Sequence, residues 1–241
     1  MIVLLEAKKL RHTGYFPAFL GGTALAAAIP PIHMSVRSDT FTAQPGDPFR
    51  ILTDANWQLM TMLNLFLVIC CTCMMYYTEF ADNGAQKMET LPVTESRLFC
   101  AKLLLFLSCI AVMLLLETIV LALCGKYWFA DYEMRLSALL KTCGFSFAAA
   151  LPTVILMLLF ASVCKNMWVS LGIGVLFMFT CSMFPKDSLF FSLCPFNSPY
   201  LTFAELADAE TQRRFLSACA AESVLFLAVK LLMIKLRRCF S

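Results

Sequence analysis

The sequence predicts an all-α integral membrane protein with six transmembrane helices and both termini in the cytoplasm. Three observations carry this expectation. Hydrophobic residues make up 60% of the chain and charged residues 15%, with a mean hydropathy of +0.77. A soluble domain is about 45–50% apolar and about 25% charged, and one this apolar would expose aggregating patches. Apolar runs of about 18 residues or more, the length that crosses a bilayer, recur along the chain. Basic residues gather at its two ends, Lys8, Lys9 and Arg11 at one and Lys235, Arg237 and Arg238 at the other, as the positive-inside bias places cytoplasmic ends. With 241 residues, the chain holds one membrane domain, 1–241, and only short connections.

Residues 1–10, MIVLLEAKKL, mix apolar positions with Glu6, Lys8 and Lys9, which suits a short helix in the cytoplasmic interface. The first span is 15–36. Its basic flank and small residues Ala26 and Ala28 also fit a cleavable leader, which stays open as an alternative. Residues 37–56 are polar, with turn chemistry at Pro45, Gly46, Asp47 and Pro48. The second span, 57–77, holds no charge; Trp57 opens it and Tyr76 and Tyr77 close it, as an aromatic belt does. The polar segment 78–98 follows.

The third span, 99–124, starts near Lys102, which can snorkel, and contains Glu117 deeper in. The fourth, 142–163, carries Pro152; kinks are expected there and at Pro30 and Pro31. A tight turn, Cys164–Lys165–Asn166, leads into the fifth span, 167–184. Residues 185–217 are polar, rich in proline first and helical from Thr202 to Phe215. The sixth span is 218–234. This order places 78–98 and the Lys165 turn inside, and 37–56, 125–141 and 185–217 outside.

Several chemistries are excluded. No glycine-rich phosphate loop with its lysine exists, and no nucleophile elbow. The two histidines, His12 and His33, fall on opposite sides of the first span, so no paired-histidine protease site forms. No metal site is expected: most cysteines lie within apolar runs, where the residue acts as a small hydrophobe, and Cys70, Cys71 and Cys73 lack a second ligand cluster. Cys124 and Cys194 are nearest the expected exterior and are the candidates for a bridge. No basic stretch with interleaved aromatics points to nucleic acid.

Two features remain. Glu117 is an acid well inside an apolar run, and such residues are either hydrogen-bonded packing groups or parts of a substrate path. The segment 78–98 breaks at Asn83–Gly84, and Lys87 to Leu91 can form a turn or two of helix before Pro92 stops it. Held between two long spans, such a helix is a lever; the bland alternative is a solvated loop.

The start Glu6–Lys8–Lys9–Leu10–Arg11, Trp57 opening a long span that ends in Tyr76, Tyr77 and Glu79, and the stretch KMETLPVTESRLFCAK from Lys87 to Lys102 together resemble permeases of the type-2 ABC exporter superfamily. Within it the chain is most similar to lantibiotic-immunity permeases; the last third matches less. The resemblance implies a non-catalytic permease subunit in the bacterial cytoplasmic membrane. It also implies a separate ABC ATPase dimer that binds ATP and Mg, a second permease subunit, identical or homologous, and an antimicrobial peptide substrate reached from membrane lipid. Residues 79–95 become the element that docks on the ATPase, with Glu79, Asp82, Asn83, Gly84, Lys87, Glu89, Leu91 and Pro92 as its site residues. Glu117, Trp57 and Phe177 are the candidates for the substrate path. Ser170, Gly172 and Gly174 offer a small-residue face for a second permease, or pack internally. A drug or natural-product exporter, an ATP-independent channel or carrier, and a non-transporting anchor or sensor subunit are the rival readings.

Overall fold

A computed structural model of the chain describes residues 2–80, 94–129, 132, 135–184, 189–206 and 208–240. Its α-helices are α1 (Ile2–Leu10), α2 (Tyr15–Thr42), α3 (Pro48–Phe80), α4 (Glu95–Trp128), α5 (Leu136–Val163), α6 (Met167–Ser182), α7 (Leu189–Ser192) and α8 (Ala209–Phe240), with a 3-10 turn at Ser198–Tyr200. No strand occurs among the described residues.

Five helices, α2, α3, α4, α5 and α8, are long and apolar enough to cross a membrane. Each overruns the apolar run that announced it. Backbone hydrogen bonding carries a helix past the point where hydropathy ends, so 37–56 is mostly helix, with α3 starting at Pro48, a residue suited to the first helical turn. The fifth expected span is shorter: α6 has 16 residues, about 24 Å of helix against a hydrocarbon core of about 30 Å. The Asn166 side chain caps it by accepting the Trp168 N–H at 2.9 Å, which makes the three-residue turn from α5 possible.

Two local expectations are corrected. Pro30 and Pro31 lie within helical backbone, and the break in α2 falls at Arg37, with φ −135° and ψ 35°. Beyond it Phe41 turns back to meet the His33 ring edge-on at 5.2 Å. Residues 202–206 form a turn rather than the start of a helix. There the Thr202 N–H donates to the Glu205 carboxylate at 2.8 Å, and the Glu205 N–H donates to the Thr202 hydroxyl at 3.3 Å. This reciprocal pairing holds the turn closed, and α8 begins only at Ala209. α5 passes Pro152 with no non-helical residue.

α3 is the hub of the bundle. It packs against α2, α4, α5, α6 and the 3-10 turn, and it is the most buried of the five long helices. Its inward face carries Thr53, Asn56, Thr61, Asn64 and Thr72 among apolar residues. Small and polar groups suit this position because, without a hydrophobic drive between helices in lipid, association depends on close packing and hydrogen bonds. Gly22 on α2 marks such an approach: a Cβ there would lie 2.6 Å from Leu67 of α3. On α6, Ser170 is buried against Cys73, and a Cβ at Gly174 would meet Ile69 at 2.8 Å. These two small residues therefore pack internally, and Gly172 alone of the three faces open space. α2 and α8 are the least buried long helices and expose Leu20, Leu25, Val224, Leu225 and Leu232.

Contacts fix the two ends of the bundle. α1 packs on α4 near its start, and α8 reaches the same region at Lys230. α1 and the C-terminal part of α8 therefore lie at the end that holds Phe80 and Glu95. α6 runs from that end toward the one holding Trp57.

Candidate functional site

The site is built where α3 ends and α4 begins, on either side of residues 81–93. Lys102, about two turns into α4, is 1% exposed. Its ammonium donates to the Glu6 carboxylate at 2.5 Å and pairs with Glu79 at 3.0 Å. It also lies 5.4 Å from the centre of the Tyr76 ring, within cation–π reach. Lys9 pairs with the same Glu79 carboxylate oxygen at 3.3 Å. Two lysines and two carboxylates thus form a charge-balanced quartet that joins α1, the end of α3 and the start of α4. Gly14, at φ 76°, gives the left-handed turn that brings α1 back onto α4; few other residues adopt it without strain.

A second buried lysine holds the other side. Lys230 of α8 is 4% exposed. It donates to Glu95, the first residue of α4, at 3.2 Å and to the Ser162 hydroxyl of α5 at 2.9 Å, and it lies 5.5 Å from the Phe99 ring centre. So Glu79, just before residues 81–93, is bound to α1, and Glu95, just after them, is bound to α8. A cleft of about 370 Å³ lies beside Phe80, lined by Tyr77, Lys165, Asn166, Met167 and Trp168.

Buried charges must be paired, because desolvation costs several kcal/mol per ion. A lysine inside an otherwise apolar run therefore demands a carboxylate. That was the signal available for Lys230, which sequence reasoning passed over, and for Lys102, which it read only as snorkelling. Glu6 sits 96 residues from Lys102, and Glu95 sits 135 from Lys230, so spacing alone did not name them. Of the residues expected to dock on the ATPase, Glu79 lies in the quartet; Asp82, Asn83, Gly84, Lys87, Glu89, Leu91 and Pro92 lie outside the described residues.

A family model described as "ABC-2 family transporter protein" matches residues 2–181, which is 180 of 241 residues. The chain belongs to the ABC-2 transporter family. Neither a curated protein nor a solved structure matches it. Membership makes the chain a non-catalytic, multi-pass membrane permease subunit of an ABC exporter, and it implies an ABC ATPase as partner. The matched region runs from α1 through nearly all of α6 and so includes the quartet.

In this ABC-2 permease the three residues proposed for a substrate path stand apart. Trp57 is buried, and its Nε1 donates to the Pro199 carbonyl at 3.0 Å. Glu117 is fully buried and accepts from Asn64 Nδ2 at 2.8 Å, and among the described residues Glu117 Oε1 and Asn64 Oδ1 have no hydrogen-bond partner. Phe177 is half exposed on α6 and stacks with Phe160 and Phe196 at 6.3 and 5.8 Å. Among the described residues they share no hydrogen-bond or ring partner. Asn64 lies fifteen residues before Glu79, and Glu117 fifteen after Lys102. Their pair therefore sits about 23 Å from the quartet along both helices.

The expected Cys124–Cys194 pairing is also corrected. Cys124 is buried in an apolar cluster with Leu121, Ala122 and Leu139, while Cys194 lies beside Cys181.

Proposed function

We propose that this ABC-2 permease exports a lantibiotic or similar antimicrobial peptide from the bacterial cytoplasmic membrane, giving immunity or resistance. The observation that carries the mechanism is the pair of buried lysines that fasten both sides of residues 81–93. Glu79, before that segment, is tied to α1, and Glu95, after it, is tied to α8. When a partner ATPase dimer closes on ATP and Mg and pushes residues 79–95, the push reaches α1, α3, α4 and α8 together. Ion pairs transmit it well because breaking one would leave an uncompensated buried charge, at a cost of about 3–5 kcal/mol.

The same reading puts the quartet end, and so both termini, in the cytoplasm. Lys8, Lys9, Arg11 and Lys235 at that end support it. It takes α6 as the sixth crossing, since α6 runs between the two ends of the bundle despite its length. A second permease subunit, identical or homologous, completes a path too large for one bundle. The exposed apolar surface of α2 and α8 is suited to lipid and to a substrate that enters from lipid.

The test is expression with the ATPase and partner permease in a peptide-sensitive bacterium. Resistance to a lantibiotic should rise, cell-bound peptide should fall, and both effects should vanish when the ATPase cannot hydrolyse ATP. Replacing residues 82–90 with a Gly-Ser linker should leave membrane insertion intact and abolish resistance. A panel of lantibiotics without any shift, alongside a clear shift for a small hydrophobic drug, would replace the peptide reading with a drug-exporter one. Full resistance with the linker would remove the lever.

A further inference from the structure

Past α6 the chain turns back and lies against α3 and α5. This return is held at named points. Trp57 Nε1 donates to the Pro199 carbonyl, the Ser198 hydroxyl donates to the Ala149 carbonyl at 2.8 Å, and the Thr153 hydroxyl donates to the Pro195 carbonyl. The docking falls beside Pro152, which supplies no N–H to the helix ladder.

Cys194 sits in this return with its backbone fixed. Its carbonyl accepts the N–H groups of Asn197 at 2.7 Å and Ser198 at 2.9 Å, and its own N–H donates to the Phe191 carbonyl at 3.1 Å. Cys181, 2% exposed, stands in the last turn of α6, where its carbonyl accepts the Phe184 N–H at 3.0 Å. The two sulfurs are 3.3 Å apart. No other pair of cysteines among the described residues brings its sulfurs into such contact. A disulfide needs an S–S distance of about 2.05 Å, so small side-chain rotations separate this contact from a bond.

We propose that Cys181 and Cys194 form a disulfide that staples the return segment to the end of α6. The proposal rests on the reading that this end of the bundle faces outward, where oxidising conditions sustain disulfides. The oxidant is an exterior disulfide, protein-borne or small. One cysteine thiolate attacks a sulfur of that donor and releases one donor thiol; the second cysteine then attacks the mixed disulfide and releases the other. Two protein thiols are oxidised, one donor disulfide is reduced to two thiols, and the two protons pass from the cysteines to the donor thiols. The bond joins α6 to the segment whose Pro195 and Pro199 carbonyls accept from Thr153 and Trp57.

The test uses the full chain in intact cells. Proteins are acid-quenched, denatured, blocked with a light maleimide, reduced and then labelled with a heavy one, and peptides are read by mass spectrometry. The proposal expects heavy label on both Cys181 and Cys194 and light label on Cys71, Cys109 and Cys219. In Cys181→Ser, Cys194 should become light, and in Cys194→Ser, Cys181 should. Light label on both in the unmodified chain overturns the proposal, as does heavy Cys194 that persists in Cys181→Ser. A membrane-impermeant phosphine applied before quenching separates the two readings. If it frees both thiols, the bond faces outward. If only permeabilised cells release them, the staple stands and the outward orientation fails.

Discussion

Replacing Lys102 with methionine keeps an unbranched, slightly shorter side chain and removes the cation that Glu6 and Glu79 share. The quartet of Lys9, Lys102, Glu6 and Glu79 is charge-neutral, so the variant leaves one carboxylate in excess. Glu6 and Glu79 have side chains only 6% and 14% exposed, and water can compensate little. Removing one partner of a buried pair costs about 3–5 kcal/mol. For a chain of this size each kcal/mol moves Tm by about 2–4 °C, so Tm should fall by about 6–20 °C. Lys102→Met with Glu6→Gln restores neutrality and keeps the Lys9–Glu79 pair. The double variant should therefore be less damaged than the two single effects summed, with a coupling of about 1–3 kcal/mol. The assay is thermal unfolding in lipid nanodiscs, followed by tryptophan fluorescence, together with peptide-stimulated ATP hydrolysis by the assembled transporter. If the two substitutions add within about 0.5 kcal/mol, the buried quartet does not act as a unit and the reasoning fails.

Other outcomes follow from packing and polarity. Gly22→Leu should drive into Leu67 and cost about 1–3 kcal/mol, while Gly172→Ala, with open space around its new Cβ, should leave Tm unchanged or raised; parallel melts decide this. Glu117→Gln keeps an acceptor for Asn64 Nδ2 and should preserve Tm and resistance, whereas Glu117→Leu strands the amide and should cost about 1–3 kcal/mol. A loss of resistance in Glu117→Gln at unchanged Tm would instead assign the carboxylate a direct part in transport. For topology, an alkaline phosphatase fusion after Gln44 should be active and one at the C-terminus inactive; the reverse pattern would invert the orientation.

Composition and run lengths were enough to establish a helical membrane bundle, because a spanning segment must be apolar over a fixed length and satisfy its own backbone hydrogen bonds. α2, α3, α4, α5 and α8 each contain the run that predicted them, and Lys87 to Lys102 with Trp57 and Tyr76 sufficed to suggest the family. Helix ends were less legible. The break at Arg37 and the turn at Thr202–Glu205 depend on contacts that a local window does not contain. The α6 run looked like an ordinary span, and hydropathy does not register where the chain turns back.

What the sequence determined by itself was therefore the class of solvent each segment meets and the need for paired charges inside it. Lys102 and Lys230, inside apolar runs, each required a carboxylate, although sequence reasoning took Lys102 as snorkelling and passed over Lys230. Which carboxylates, and that they stand on the two sides of residues 81–93, only the tertiary structure decided. Ion pairing acts over a few ångströms in space and takes no account of separation along the chain. Glu6, Glu79 and Lys102 meet only because α1, α3 and α4 converge at one end of the bundle. Cys181 and Cys194 meet only because the segment after α6 folds back onto α3 and α5.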